Sequence, residues 1–128
     1  MAGDDPGEHI RIHVETAYLE GESSPEEGRY VFAYTVTIRN EGDTPARLLS
    51  RHWLITDAEG RVQEVEGEGV VGEQPYLRPG EGFQYTSGAQ LQTAMGTMTG
   101  HYYLVDDHGT RFEAARPEFL LSVPRTLH

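Results

Sequence analysis

Residues 30–38, Tyr-Val-Phe-Ala-Tyr-Thr-Val-Thr-Ile, alternate strictly between two faces. Tyr30, Phe32, Tyr34, Val36 and Ile38 share one face, and Val31, Ala33, Thr35 and Thr37 share the other. A period of two, rich in aromatic and β-branched side chains, lays no apolar stripe along a helix and specifies a half-buried strand. The turn Asn40-Glu-Gly-Asp-Thr-Pro45 ends it. Similar units recur. Ile10, Ile12 and Val14 alternate within 9–19, and Leu49, Trp53 and Ile55 share one face of 47–56, which ends at the turn 57–60. A short strand follows at 61–66, and another at 83–87 after the turn 78–81. Met98, Tyr102 and Leu104 alternate in 98–105, and Asp106-Asp-His-Gly109 is a hairpin signal from which 110–123 returns. No ten-residue stretch keeps a helical period. The expected fold is all-β, a β-sandwich of about seven strands with Trp53 as the plug between its sheets. Pro117 places the middle of the last strand at an edge or a bulge.

At 128 residues the chain suits one domain. It contains no cysteine, which excludes zinc ribbons, thiol catalysis, iron–sulfur ligation and a disulfide scaffold. The formal charge is -11, from 21 acidic and 10 basic residues, and every basic residue is arginine. Such a field repels phosphate backbones and anionic lipid, so neither nucleic acid nor a membrane is an expected partner. Residues 1–8 read as a flexible acidic N-terminus and 9–128 as a single domain. The N-terminus lacks the basic-then-apolar order of a signal peptide and no apolar run is long enough to span a bilayer, so the expected location is cytoplasmic.

Gly67-Glu-Gly-Val-Val-Gly72 matches G-x-G-x-x-G. A phosphate cradle of that type needs a helix opening directly behind the glycines. Here they run into Glu73-Gln-Pro-Tyr-Leu-Arg-Pro-Gly80, a turn-rich segment. Three readings stand open: an anion nest built on Gly67, Gly69 and Gly72, a structural corner, and a partner-binding loop presenting Val70, Val71 and Tyr76. Residues 61–73 carry Glu64, Glu66, Glu68 and Glu73 against Arg61 alone. Each such charge at about 4 Å costs an incoming phosphate roughly 1 to 4 kcal/mol. The same carboxylates suit a hard divalent cation, with Glu66 and Glu68 as weak candidates, but only if the strand continues through the glycines. His9 and His13 lie about 13 Å apart along a strand, too far for one metal. His52 faces away from Trp53, and His101 and His108 fall on a strand and a hairpin tip. Ser50, Ser87 and Ser122 lack a nucleophile-elbow context. No catalytic grouping and no cofactor site emerges.

From about residue 9 to 121 the chain resembles the ApaG family, also called CorD. The resemblance rests on Ser50-Arg-His-Trp-Leu-Ile-Thr-Asp57, Val65-Glu-Gly-Glu-Gly-Val-Val-Gly-Glu-Gln-Pro75, Leu77-Arg-Pro-Gly-Glu81, Tyr85-Thr-Ser-Gly88, Gly96-Thr-Met98 and Gly100-His-Tyr102. It implies an immunoglobulin or fibronectin type III-like sandwich, a link by name to cobalt and magnesium resistance, and a link by gene neighbourhood to dinucleoside polyphosphate breakdown. The expected function is a non-enzymatic module that binds another protein through the 67–76 loop. The alternative is a regulator that senses a nucleotide polyphosphate or a divalent cation through 67–72.

Overall fold

The structure, a computed structural model, describes residues 6–124. Eight strands follow one another: β1 (Ile10–Tyr18), β2 (Tyr30–Asn40), β3 (Ala46–Asp57), β4 (Val62–Glu68), β5 (Tyr76–Leu77), β6 (Gly82–Leu91), β7 (Met95–Asp106) and β8 (Arg111–Ser122). They form two antiparallel sheets, ordered β1-β2-β6 and β4-β3-β7-β8, with β5 paired to one end of β3. The expected sandwich is therefore present, and the two-residue β5 takes the count past seven. Among the described residues there is no α-helix, only short 3-10 turns at Pro6–His9, Glu20–Glu22 and Pro25–Glu27. None is long and apolar enough to cross a membrane. Residues 1–5 of the expected acidic N-terminus lie outside the described residues.

The core follows the alternation. Phe32, Tyr34, Val36 and Ile38 of β2 are buried against Leu48, Trp53 and Ile55 of β3 and Met98, Tyr102 and Leu104 of β7. Trp53 is fully buried, with Tyr102 and Phe119 edge-on at ring-centroid distances of 5.8 and 5.6 Å, geometries that aromatic quadrupoles favour. Its cross-strand neighbour is Gly100. A Cβ there would lie 2.1 Å from the His52 carbonyl oxygen and 2.8 Å from the indole, so the glycine makes the room the tryptophan occupies. Nearby, Tyr85 and Tyr102 share a buried hydroxyl–hydroxyl hydrogen bond, and burial pushes both phenols above their ordinary range.

Two bulges reset which residues face inward. The β3–β7 register shifts between Leu48 and Ser50, so Leu48 is buried where parity with Trp53 assigns Leu49. One extra residue on a strand reverses every face beyond it. The second shift, in the β7–β8 pairing between Met98 and Gly100, skips Pro117 and Glu118 on the outermost strand. A residue without an N–H is at home there, as expected of Pro117.

Side chains close two turns. Buried Asn40 donates from Nδ2 to the Thr44 and Leu77 carbonyls, both at 2.9 Å, and accepts the Gly42 N–H at 2.9 Å. At the β3–β4 hairpin, Asp57 accepts the backbone N–H groups of Glu59 and Arg61 at 2.9 and 3.0 Å and the Arg61 guanidinium at 2.6 Å. The Arg61 hydrogen bond, helped by those two amides, holds the carboxyl below its ordinary value.

Candidate functional site

β4 continues through Gly67, so Glu64, Glu66 and Glu68 do share one face of the strand. Gly67 stands opposite Arg51 in the ladder, and a Cβ there would lie 2.8 Å from the Arg51 Nη1. Without that Cβ the guanidinium lies across the strand and donates to the Gly69 carbonyl at 2.7 Å, with the Glu68 carbonyl at 3.4 Å. Gly69 takes φ 63°, and a Cβ on it would meet the Glu73 carbonyl oxygen at 2.1 Å. Gly72 takes φ 81°. Two of the three glycines thus answer to close approaches within the protein itself, and two adopt backbone angles that side chains rarely take.

The loop is hydrogen-bonded on both sides of its tip. Val70 and Glu73 exchange backbone bonds at 2.8 and 2.9 Å, and the Gly69 N–H donates to the Leu49 carbonyl at 2.7 Å. Gln74 donates its amide to that same carbonyl at 2.9 Å, Arg47 caps the Gln74 carbonyl at 2.8 Å, and Leu48 N–H reaches the Pro75 carbonyl at 3.0 Å. The Gly69, Val70 and Glu73 amides are therefore already engaged, and the chain turns at Val71–Gly72 and returns to a bridge at Glu73 rather than opening a helix. Leu49 and Arg51 hold this loop from below. Trp53 sits further along β3, opposite Val65.

The expected loop residues divide sharply. Val70 is fully buried and serves as the plug, while Val71 at the tip is 59% exposed. Val71 also has φ 43°, the one positive value among the described non-glycine residues. That region is rarely open to a β-branched side chain. Tyr76 is partly exposed. Its hydroxyl donates to the Asp107 carboxylate, with both oxygens at 2.8 Å, and its ring lies 5.2 and 5.9 Å from the Arg47 and Arg78 guanidinium carbons. The Asp107 hydrogen bond raises the phenol above its ordinary value. Beside the loop, Leu49, Ser50, Glu68, Gln74, Tyr103 and Phe112 line a surface hollow.

Charge counted along the sequence misjudges this end of the molecule. Arg61 is bound to Asp57 and Glu59 at the far end of β4, whereas Arg47, Arg51 and Arg78 converge on the loop. Pairing also assembles a cluster that linear spacing hides. His52 stands opposite Glu66, and its Nε2 lies 2.8 Å from Glu64 Oε2 and 3.6 Å from Glu66 Oε1. One donor atom from each of His52, Glu64 and Glu66 falls within 4.8 Å of the other two. Glu68, the other expected candidate, is not in the cluster. A histidine face read against β4 once its register is known would have found this group. Ser122 donates its hydroxyl to the Val123 carbonyl at 3.2 Å, and Ser50 and Ser87 sit on strands opposite Glu68 and Tyr34 rather than opposite a histidine.

Over residues 20–106 the sequence matches the family model described as the ApaG domain. It is 57% identical to Protein ApaG of Xanthomonas euvesicatoria pv. vesicatoria over 98% of each chain. It is 58% identical to Protein ApaG of Xanthomonas campestris pv. campestris strain B100, again over 98% of each. Among solved structures, the putative ApaA protein from Bordetella pertussis superposes with a TM-score of 0.89 at 54% identity, covering 91% of this chain and 95% of that one.

Proposed function

The chain belongs to the ApaG domain family, and from that premise we propose that it is a non-enzymatic binding module that docks another protein on its 67–76 loop. The observation that carries this reading is Val71. Holding a side chain in a sparsely populated backbone region costs about 1 to 3 kcal/mol and persists only where surrounding bonds over-determine it. Those bonds are the Val70–Glu73 pair, the Leu49 carbonyl and the Arg51 clasp. The strained residue is apolar and more than half exposed, so it contributes little to the core. A rigid apolar tip, with Tyr76 and its arginines at the flank and a hollow alongside, is pre-organised for a protein surface, because little ordering entropy remains to be lost on docking.

None of the relatives named above carries an enzymatic name. In this reading the module acts in the cytoplasm without a cofactor, and the family's link to cobalt and magnesium resistance runs through the bound partner. The alternative, a nucleotide polyphosphate or cation sensed at 67–72, is supported less, since the Gly69 amide of the cradle is already bonded to the Leu49 carbonyl and the neighbouring Val70 and Glu73 amides to each other's carbonyls.

Val62 supplies a matched control, being equally exposed at 59% but at the opposite end of β4. A photo-crosslinker beside the loop, used in native extract, should capture a defined protein whose yield collapses in Val71→Asp and Tyr76→Ser and survives in Val62→Ser. Unchanged capture by both loop variants refutes the proposal.

A further inference from the structure

The geometry points to a divalent metal site on the outer face of the β3–β4 pair, with His52, Glu64 and Glu66 as its ligands. This inference is independent of the loop reading. The three side chains come from two strands and meet because His52 and Glu66 are directly paired while Glu64 lies one pleat repeat along the same face. The distances from His52 Nε2 to the two carboxylates, 2.8 and 3.6 Å, bracket the edge of a small coordination polyhedron with metal–ligand bonds of about 2.0 to 2.2 Å.

The ligand set suits a divalent ion in charge as well. Two carboxylates and a neutral imidazole carry the two negative charges such an ion neutralises. Among the described residues no arginine pairs with Glu64 or Glu66, whose ion-pair contacts are both with His52. A divalent cation would neutralise two adjacent carboxylates whose one shared ion-pair partner among the described residues is a histidine.

The histidine is the most buried member. Its side chain is 19% exposed, and its ring packs 5.2 Å from that of His101, its partner on β7. His101 is in turn hydrogen-bonded to the Tyr103 hydroxyl at 2.7 Å. The carboxylates, 61% and 70% exposed, are free to close on an ion. One nitrogen and two oxygens favour a borderline first-row ion such as Zn²⁺ over Mg²⁺, which prefers all-oxygen octahedral surroundings and sheds water reluctantly. Three protein ligands leave at least one position for water. Bound there, the ion clasps the edge strand β4 to β3 one residue before Gly67.

Zn²⁺ titration of the full chain, read by calorimetry and by amide shifts, tests the site. The expected result is saturable one-to-one binding, with shifts centred on residues 52, 64 and 66. Glu64→Gln and Glu66→Gln should each weaken binding roughly tenfold or more. Both positions are exposed, so Trp53 fluorescence should report an intact fold in either variant. His13→Ala, at a separate exposed His–Glu pair, should bind as the parent does. The inference is overturned if the Glu64→Gln/Glu66→Gln double variant binds Zn²⁺ as tightly as the parent, if the shifts centre on His9 and His13, if Mg²⁺ binds equally well, or if no saturation occurs below about 1 mM.

Discussion

Replacing Asn40 by aspartate changes one atom of a buried side chain and should be among the most destabilising substitutions the protein can take without losing side-chain volume. Asn40 is 1% exposed, and its Nδ2 supplies a hydrogen to each of two carbonyls, those of Thr44 and Leu77. In Asn40→Asp that nitrogen becomes an oxygen facing two other oxygens, while the bond from Gly42 N–H is kept. Each lost bond removes about 0.5 to 1.5 kcal/mol, and each buried carbonyl left without a donor adds about 1 to 3 kcal/mol before relaxation. Allowing for partial relaxation, the deficit at neutral pH is about 3 to 5 kcal/mol. That corresponds to a loss of roughly 10 to 20 °C in Tm for a domain of this size.

The deficit has a definite pH dependence. Burial beside two carbonyls raises the folded-state pKa of the new carboxyl above its unfolded value of about 3.9. A protonated carboxyl regains one donor, so the variant recovers toward the parent as pH falls through the folded value, and the deficit widens as pH rises. Urea unfolding followed by the fluorescence of Trp53, the single tryptophan, at pH 4.5 and pH 7 measures both quantities. A variant within about 1 kcal/mol of the parent at pH 7, or one whose deficit grows in acid, refutes the reasoning.

Other substitutions probe other links. Gly100→Ala places a methyl against the His52 carbonyl and the Trp53 ring, so overpacking should lower the unfolding free energy by about 1 to 3 kcal/mol, seen as a lower urea midpoint, and shift the Trp53 emission. Val71→Gly relieves the positive-φ strain and should raise stability by about 1 kcal/mol while abolishing partner capture; a drop in stability shows that the strain reading is wrong. Because Asp57 is held below its unfolded value near 3.9, its contribution is present above that pH and is lost as pH falls through the folded value; acid titration of Tm should show this loss, and Asp57→Asn should remove it. Tyr85 and Tyr102 are raised, so their contribution is present below about pH 10 and fades above it, and Tyr85→Phe should flatten the alkaline limb of the same titration.

The sandwich was readable because a strand writes its burial into the chain with a period of two, and β2 does so without interruption. The hairpin at 106–109 and the edge character of Pro117 were legible for the same reason: each is a property of a few adjacent residues. The face of Leu49 was not. A bulge is an agreement between two strands, so parity carried along β3 alone assigns the wrong leucine to the core. The glycine loop was half legible. The want of a following helix could be seen, but that Gly67 clears space for Arg51 and Gly69 for the Glu73 carbonyl depends on what lies across the ladder.

Charge and ligand sets divide in the same way. By itself the sequence determined an acidic, cysteine-free, all-β chain with a tryptophan to plug it, because these follow from composition and from short-range alternation. Only the tertiary structure decided that Val70 is buried and Val71 displayed, that three distant arginines surround the loop, and that His52 meets Glu64 and Glu66. Each of those outcomes is set by strand register, a relation between residues far apart in the chain. Local pattern reports which way a side chain faces, and register alone decides what it faces.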